Sequence, residues 1–169
     1  MAYERRPKGA TLPRRLSEVI RVALRDLASV ERSRRYVVDM SSWHWASTLV
    51  DGSDMRPVCY VCLAGAVMAR TLGADRSETV GPNIARTKWD ERRLYALDAA
   101  RRGELDKALV DEMELDETQV NRRLRRADVG DGLLWDGLLW YHVPPYEYDP
   151  RGFKRSMRRM ADVLEEVGL

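Results

Sequence analysis

Beyond Thr11 and Pro13, apolar residues recur at three- and four-residue steps, Leu16, Val19, Ile20, Ala23, Leu24 and Leu27, with Arg14, Arg15, Arg21, Arg25 and Asp26 on the other side. That period predicts an amphipathic helix from about Pro13 to Ser33. From Tyr36 to Trp45 the pattern is mixed and suits a short strand or an irregular aromatic-rich segment. Asp51-Gly52-Ser53-Asp54 marks a turn. Pro57 then introduces a run to Arg70 that is apolar on every side. It predicts a buried central helix over about 59–72, from Cys59 to Leu72, capped by Gly73. Gly65 within it costs about 1 kcal/mol relative to alanine, a cost offset where another backbone approaches closely. Ala66 and Ala69 widen the same surface.

A loop from Ser77 to Thr87 leads to a third helix over about Lys88 to Arg102, with Trp89, Leu94 and Leu97 as inner contacts and Gly103 as its stop. Glu104 to Arg126 reads as one or two more helices. Asp149-Pro150 opens a last one, striped by Phe153, Met157, Met160, Val163, Leu164 and Val167 and capped by Gly168. Between them Asp-Gly-Leu-Leu-Trp occurs in tandem from Asp131 to Trp140, a five-residue period that matches neither a helix face nor a strand face. The expected fold is therefore mainly α. A flexible basic N-terminus (1–12) precedes a single helical domain (13–169), with a short irregular or β-hairpin segment near 130–148.

Composition places this pattern in a globular class. The 169 residues are 44% hydrophobic and 33% charged, and no apolar run reaches the roughly 20 residues that cross a bilayer. Met1 to Lys8 is charged and lacks a signal core, so a cytoplasmic protein with reduced cysteines is expected. The formal net charge of +2 argues against binding nucleic acid through the overall field. Local patches remain: arginine supplies almost all the positive charge, and Arg151, Lys154, Arg155 and Arg158 share one face of the last helix, as a phosphate-tracking helix would require. A solvated helix face has the same pattern. Acids crowd from Asp111 to Glu117, where Asp111, Glu112 and Glu114 suit a basic partner.

Cys59 and Cys62 carry four chemical readings. They suit a thiol pair at a helix N-terminus, as in disulfide oxidoreductases, although the βαβ pattern of that class is missing. With His44 and His142 they make up a Cys2His2 zinc set, though at no known finger spacing. One cysteine with a histidine and Asp39 or Asp54 would give a thiol enzyme. Small buried residues packed in a helix satisfy the same sequence. Phosphate-binding glycine loops, His-Glu-x-x-His, nucleophile elbows and dinucleotide fingerprints are absent from the chain. A binding protein is thus favoured over an enzyme, with no catalytic residue assigned and no cofactor expected other than zinc in the alternative reading. Trp135, Trp140, Tyr141, Tyr146 and Tyr148 concentrate the aromatic anchors that interfaces favour.

The run Cys59-Tyr60-Val61-Cys62-Leu63-Ala64-Gly65-Ala66-Val67-Met68-Ala69, with Trp43-His44, Leu94-Tyr95-Ala96-Leu97-Asp98 and Arg102-Gly103, resembles a family of small uncharacterised proteins encoded by bacteriophages and prophages. The resemblance covers about a third of the chain and brings no catalytic residues. It implies a phage accessory product in the host cytoplasm. The function expected is binding of a host protein or protein–nucleic-acid complex, as an inhibitor of a host defence or metabolic system. The alternatives are a cysteine-dependent or zinc protein at Cys59 and Cys62, and a nucleic-acid binder using the arginine-rich helix faces.

Overall fold

The computed structural model of the chain describes residues 11–73, 87–126 and 142–169. They are mainly helical, with one small sheet. The elements are α1 (Leu16–Glu31), β1 (Tyr36–Val38), β2 (His44–Asp51), β3 (Asp54–Val61), α2 (Leu63–Val67, continued by a π turn Met68–Leu72), α3 (Lys88–Arg101), α4 (Leu105–Lys107, continued by a π turn Ala108–Glu112), α5 (Glu117–Arg126) and α6 (Pro150–Glu166). The chain divides into two compact units, one from Met1–Leu12 and Val22–Glu91, the other from Pro13–Arg21 and Arg92–Leu169.

In the first unit the sheet has the order β1-β3-β2, with β1 parallel and β2 antiparallel to β3. The predicted helix start at Cys59 is therefore corrected: residues 54–61 are a strand, and the helix begins only at Leu63. Val58, Tyr60 and Val61 favour the pleated surface, and a central strand gains ladders on both sides. Pro57 is tolerated because of its parity. The Cys59 amide donates to Arg35 and the Val61 carbonyl accepts from Asp39, so odd-numbered residues of β3 turn their backbone groups toward β1. β1 begins at Tyr36, opposite Cys59, so the donor that proline lacks falls beyond the ladder. Asp51 and Asp54 close the β2–β3 hairpin around Gly52 and Ser53, and the positive φ of Gly52 (59°) suits the first position of a two-residue turn.

The helix after β3 is buried along its length from Leu63 to Ala69. Gly65 has the expected role: a Cβ there would lie 1.4 Å from the Trp43 carbonyl oxygen. Gly73, at φ 72°, ends the π turn in the left-handed conformation. Asp26 of α1 is 1% exposed, accepts from the Thr71 hydroxyl at 3.1 Å and lies 3.4 Å from Arg70 Nε. At the start of α3, the Thr87 hydroxyl accepts from the Asp90 amide and donates to its carboxylate, both at 3.0 Å. That carboxylate also accepts from the Leu12 amide, which ties the incoming chain to a capping box.

In the second unit α6 begins as predicted, with Asp149 accepting from the Gly152 amide and Pro150 in the first turn. Phe153, Met157, Met160, Val163 and Leu164 are buried. In α3, Leu94 and Leu97 are fully buried, but Trp89 is 54% exposed, which corrects its assignment as an inner contact. In the first turn of the helix the inward position is taken by its neighbour Asp90, which is fully buried. The Ser17 hydroxyl donates to the Leu169 carbonyl. Residues 1–10 and the tandem Asp-Gly-Leu-Leu-Trp segment lie outside the described residues. Of the segment predicted near 130–148, residues 142–148 are described and are irregular, with a turn at 146–148.

Arg21 reaches both Asp162 and Glu165 of α6. The guanidinium holds the Glu165 carboxyl below its ordinary value of 4.5, first by hydrogen bonding and then by charge. A carboxyl lowered on folding stabilises the native state above its unfolded pKa, and this contribution is lost as pH falls through the folded value. In Arg21→Gln, the Glu165 titration observed by NMR is expected to move up toward 4.5. The stability gap between wild type and variant should close as pH is lowered from 4.5. A gap that persists undiminished at lower pH would assign the effect to packing instead.

Candidate functional site

The two cysteines straddle a strand–helix junction and do not share a helix face. Cys59 is 1% exposed on β3, between Tyr36 and Ala46 of the flanking strands. Cys62 is fully buried and serves as the N-cap of α2, its sulfur accepting from the Gly65 amide at 3.4 Å. This corrects the helix-terminal pair, because the residue that starts the helix is Leu63 and Cys59 precedes it by four extended positions. His44 is 1% exposed, faces Val61 in the ladder and meets the Tyr36 ring edge-on at 6.3 Å. His44 and Cys59 therefore lie diagonally on one buried sheet face. His142 is exposed and belongs to the second unit. Among the described residues no group of three or more His, Cys, Asp or Glu side chains is placed to hold a metal ion. Asp39 turns its carboxylate to the Ser41 amide and to the hydroxyls of Ser41 and Ser42, closing the turn into β2. Asp54 lies at the hairpin tip. A substrate would have to open the core to reach either thiol.

The surface that the sequence reading missed is the β2–β3 hairpin. At its base the face carrying His44, Ala46, Cys59 and Val61 turns inward. Toward the tip the same face emerges into solvent, where the directly paired Val50 and Met55 are 61% and 70% exposed and Thr48 and Pro57 are exposed beside them. Asp51 and Asp54 flank this apolar end on the opposite face. That other face carries Trp45, 51% exposed, with its ring 5.7 Å from that of Tyr60. A signal for the hairpin was present: Gly52-Ser53 is a two-residue turn pair between runs of extended-favouring residues.

No family model, curated protein or solved structure matches this chain.

The other expected contact residues lie in the second unit. Tyr148 is 88% exposed, whereas Tyr146 stacks edge-on against Phe153 at 5.5 Å with Lys154 Nζ 5.9 Å from its ring centre. Asp111 and Glu114 are exposed and Glu112 half-buried. Glu114 pairs with Arg92 and has φ 54°, a left-handed conformation at the end of the π turn. On α6, Arg155 and Arg158 are exposed, and Arg155 approaches Asp149 at 3.9 Å. Trp135, Trp140 and Tyr141 fall outside the described residues. A hollow of about 30 Å³ bounded by Leu115, Val120, Arg123 and Leu169 has room for a water, not for a metabolite.

Proposed function

We propose that the chain is a binding protein, a phage accessory product that contacts a host protein or protein–nucleic-acid complex and inhibits it. The observation that supports this most is the Val50–Met55 cross-strand pair, two apolar side chains held out in solvent at a hairpin tip. Isolated surface apolar residues are common, but a paired valine and methionine with Pro57 alongside form a continuous patch of the kind protein interfaces bury. Asp51 and Asp54 beside it favour an apolar recess with a basic rim on the partner. The phage context comes from the resemblance, and the inhibitory role from the acidic stretch Asp111–Glu117, which suits a basic surface that it would block. The cysteine-enzyme alternative is weakened by the burial of Cys59 and Cys62, which no substrate reaches without opening the core.

The test is capture of host proteins by the tagged chain, compared across two variants. Val50→Glu with Met55→Glu is expected to abolish capture of the partner with the thermal midpoint nearly unchanged, because both side chains are solvent-facing. Cys59→Ala with Cys62→Ser is expected to retain the partner at some loss of stability, since serine keeps an acceptor at the N-cap. Loss of capture in the cysteine variant alone, with a native circular dichroism spectrum, would sink the binding-arm reading in favour of thiol or zinc chemistry.

A further inference from the structure

We propose that the face of the sheet opposite the buried cysteine binds single-stranded nucleic acid, with bases stacked on Trp45 and Tyr60 and phosphates held by arginines at the β1 edge. The inference goes beyond the protein-docking tip, which is centred on Val50 and Met55 of the other face.

Strand parity defines the surface. Side chains of directly paired residues share a face, so Val37, Tyr60 and Trp45 form one row across the three strands. Val58, 2% exposed, and Ser47 form the next row. Arg35 is the last residue of the turn before β1, and its carbonyl accepts from the Cys59 amide, which holds that turn against the edge of β3. Arg56 and Leu49 make the third row. In the aromatic row Trp45 is 51% exposed and Tyr60 and Val37 are half-buried, with the Trp45 ring tilted 34° to that of Tyr60 at 5.7 Å. Any base can stack on such a platform, and base–aromatic stacking tolerates sequence.

The cations supply the second half of the recognition. Arg32, Arg34 and Arg35 are exposed in the turn before β1, and none of them meets a carboxylate among the described residues. Arg56 is half-buried, and its Nε is enclosed without a hydrogen-bond acceptor among those residues. Arg21, Arg92, Arg101 and Arg102, by contrast, pair with acids. An uncompensated guanidinium group beside an aromatic pair is complementary to an anion that carries planar rings. Asp51 and Asp54 at the distal end of the same face set the polarity, because they repel phosphate. The strand therefore runs across the sheet, from Trp45 over Tyr60 toward Arg35, and not out along the arm. The small overall charge agrees with a site built by local placement and stacking in place of a general field.

The probe is a short single-stranded oligothymidylate, with its abasic sugar–phosphate counterpart and heparin as controls, titrated against the full chain by fluorescence anisotropy. Oligothymidylate is expected to bind, with affinity falling as salt rises at a log–log slope of about −2, as for three phosphate contacts. The abasic strand should bind at least about tenfold more weakly, and Trp45→Ala should lose about the same factor while Trp45→Phe retains most of the affinity. Arg35→Ala with Arg56→Ala should weaken binding and flatten the salt dependence by about 1.4. Equal affinity for abasic strand, heparin and oligothymidylate would overturn the proposal by reducing it to charge. So would the absence of oligothymidylate binding at low salt, or binding indifferent to Trp45. Thermal melting of each variant separates these outcomes from misfolding. Val50→Ser with Met55→Gln, which changes no charge, should leave oligothymidylate affinity unchanged, so the two surfaces stand or fall separately.

Discussion

Gly65→Ala is expected to lower the thermal midpoint by about 6 °C. Two effects of opposite sign meet at this position. Alanine improves the helix by about 1 kcal/mol over glycine. Against that, the added methyl would lie 1.4 Å from the Trp43 carbonyl oxygen, 2.6 Å from its carbon and 3.2 Å from Val61 Cβ. The first two are backbone atoms in a segment fixed at both ends. Ser42 just before accepts from the Cys62 amide, and His44 just after is locked into the β2 ladder. The clash can be relieved only by separating α2 from the β1–β2 connection. Overpacking that displaces backbone costs about 3 kcal/mol or more, well above the gain in propensity. For a chain of this length each kcal/mol moves the midpoint by about 2–4 °C. Differential scanning calorimetry of the two proteins decides it. A midpoint within a degree of wild type would mean that the close approach of α2 to Trp43 is wrong.

Asp26→Ala is expected to cost about 3 kcal/mol, measured by urea denaturation. The carboxylate is 1% exposed and holds two groups of α2 at once, the Thr71 hydroxyl at 3.1 Å and Arg70 Nε at 3.4 Å. The Arg70 side chain is only 15% exposed. Truncating the acid leaves that guanidinium poorly solvated, and removing one member of a buried ion pair commonly costs about 3–5 kcal/mol. Asp26→Asn separates the components. An amide oxygen can still accept from Thr71, so its cost should be smaller and due to the lost charge. The double variant Asp26→Leu with Arg70→Leu should recover much of the loss, because two apolar groups have no unmet charge. Equal stability of Asp26→Ala and wild type would show that the pair contributes nothing to joining α1 and α2.

The Gly65 position also shows what a local pattern can foresee. A glycine inside an apolar run implies a close neighbour, and that neighbour exists, yet its identity as the Trp43 carbonyl is a contact across twenty-two residues of sequence. The candidate surface was less legible. Trp45 reads as one aromatic among several until the ladder gives it Tyr60 as a cross-strand partner. Val50 and Met55 lie on either side of a turn recognisable from sequence, but only the register places them opposite each other and outside the core. Their exposure depends on how far the core extends beneath the sheet.

The sequence by itself determined the elements whose physics is local. The three- and four-residue apolar period specifies α1, and Asp149, Pro150 and the Phe153-to-Leu164 stripe specify α6, because capping and amphipathic spacing act within a few turns. Only the tertiary structure decided the state of residues 54–62. Cys59 and its neighbours are apolar in a way that suits a buried helix or a buried strand equally, and a strand gains its hydrogen bonds from partners elsewhere in the chain. β1 and β2 supply those ladders, and the same pairing turns Cys59 and His44 inward while leaving Trp45, Val50 and Met55 in solvent.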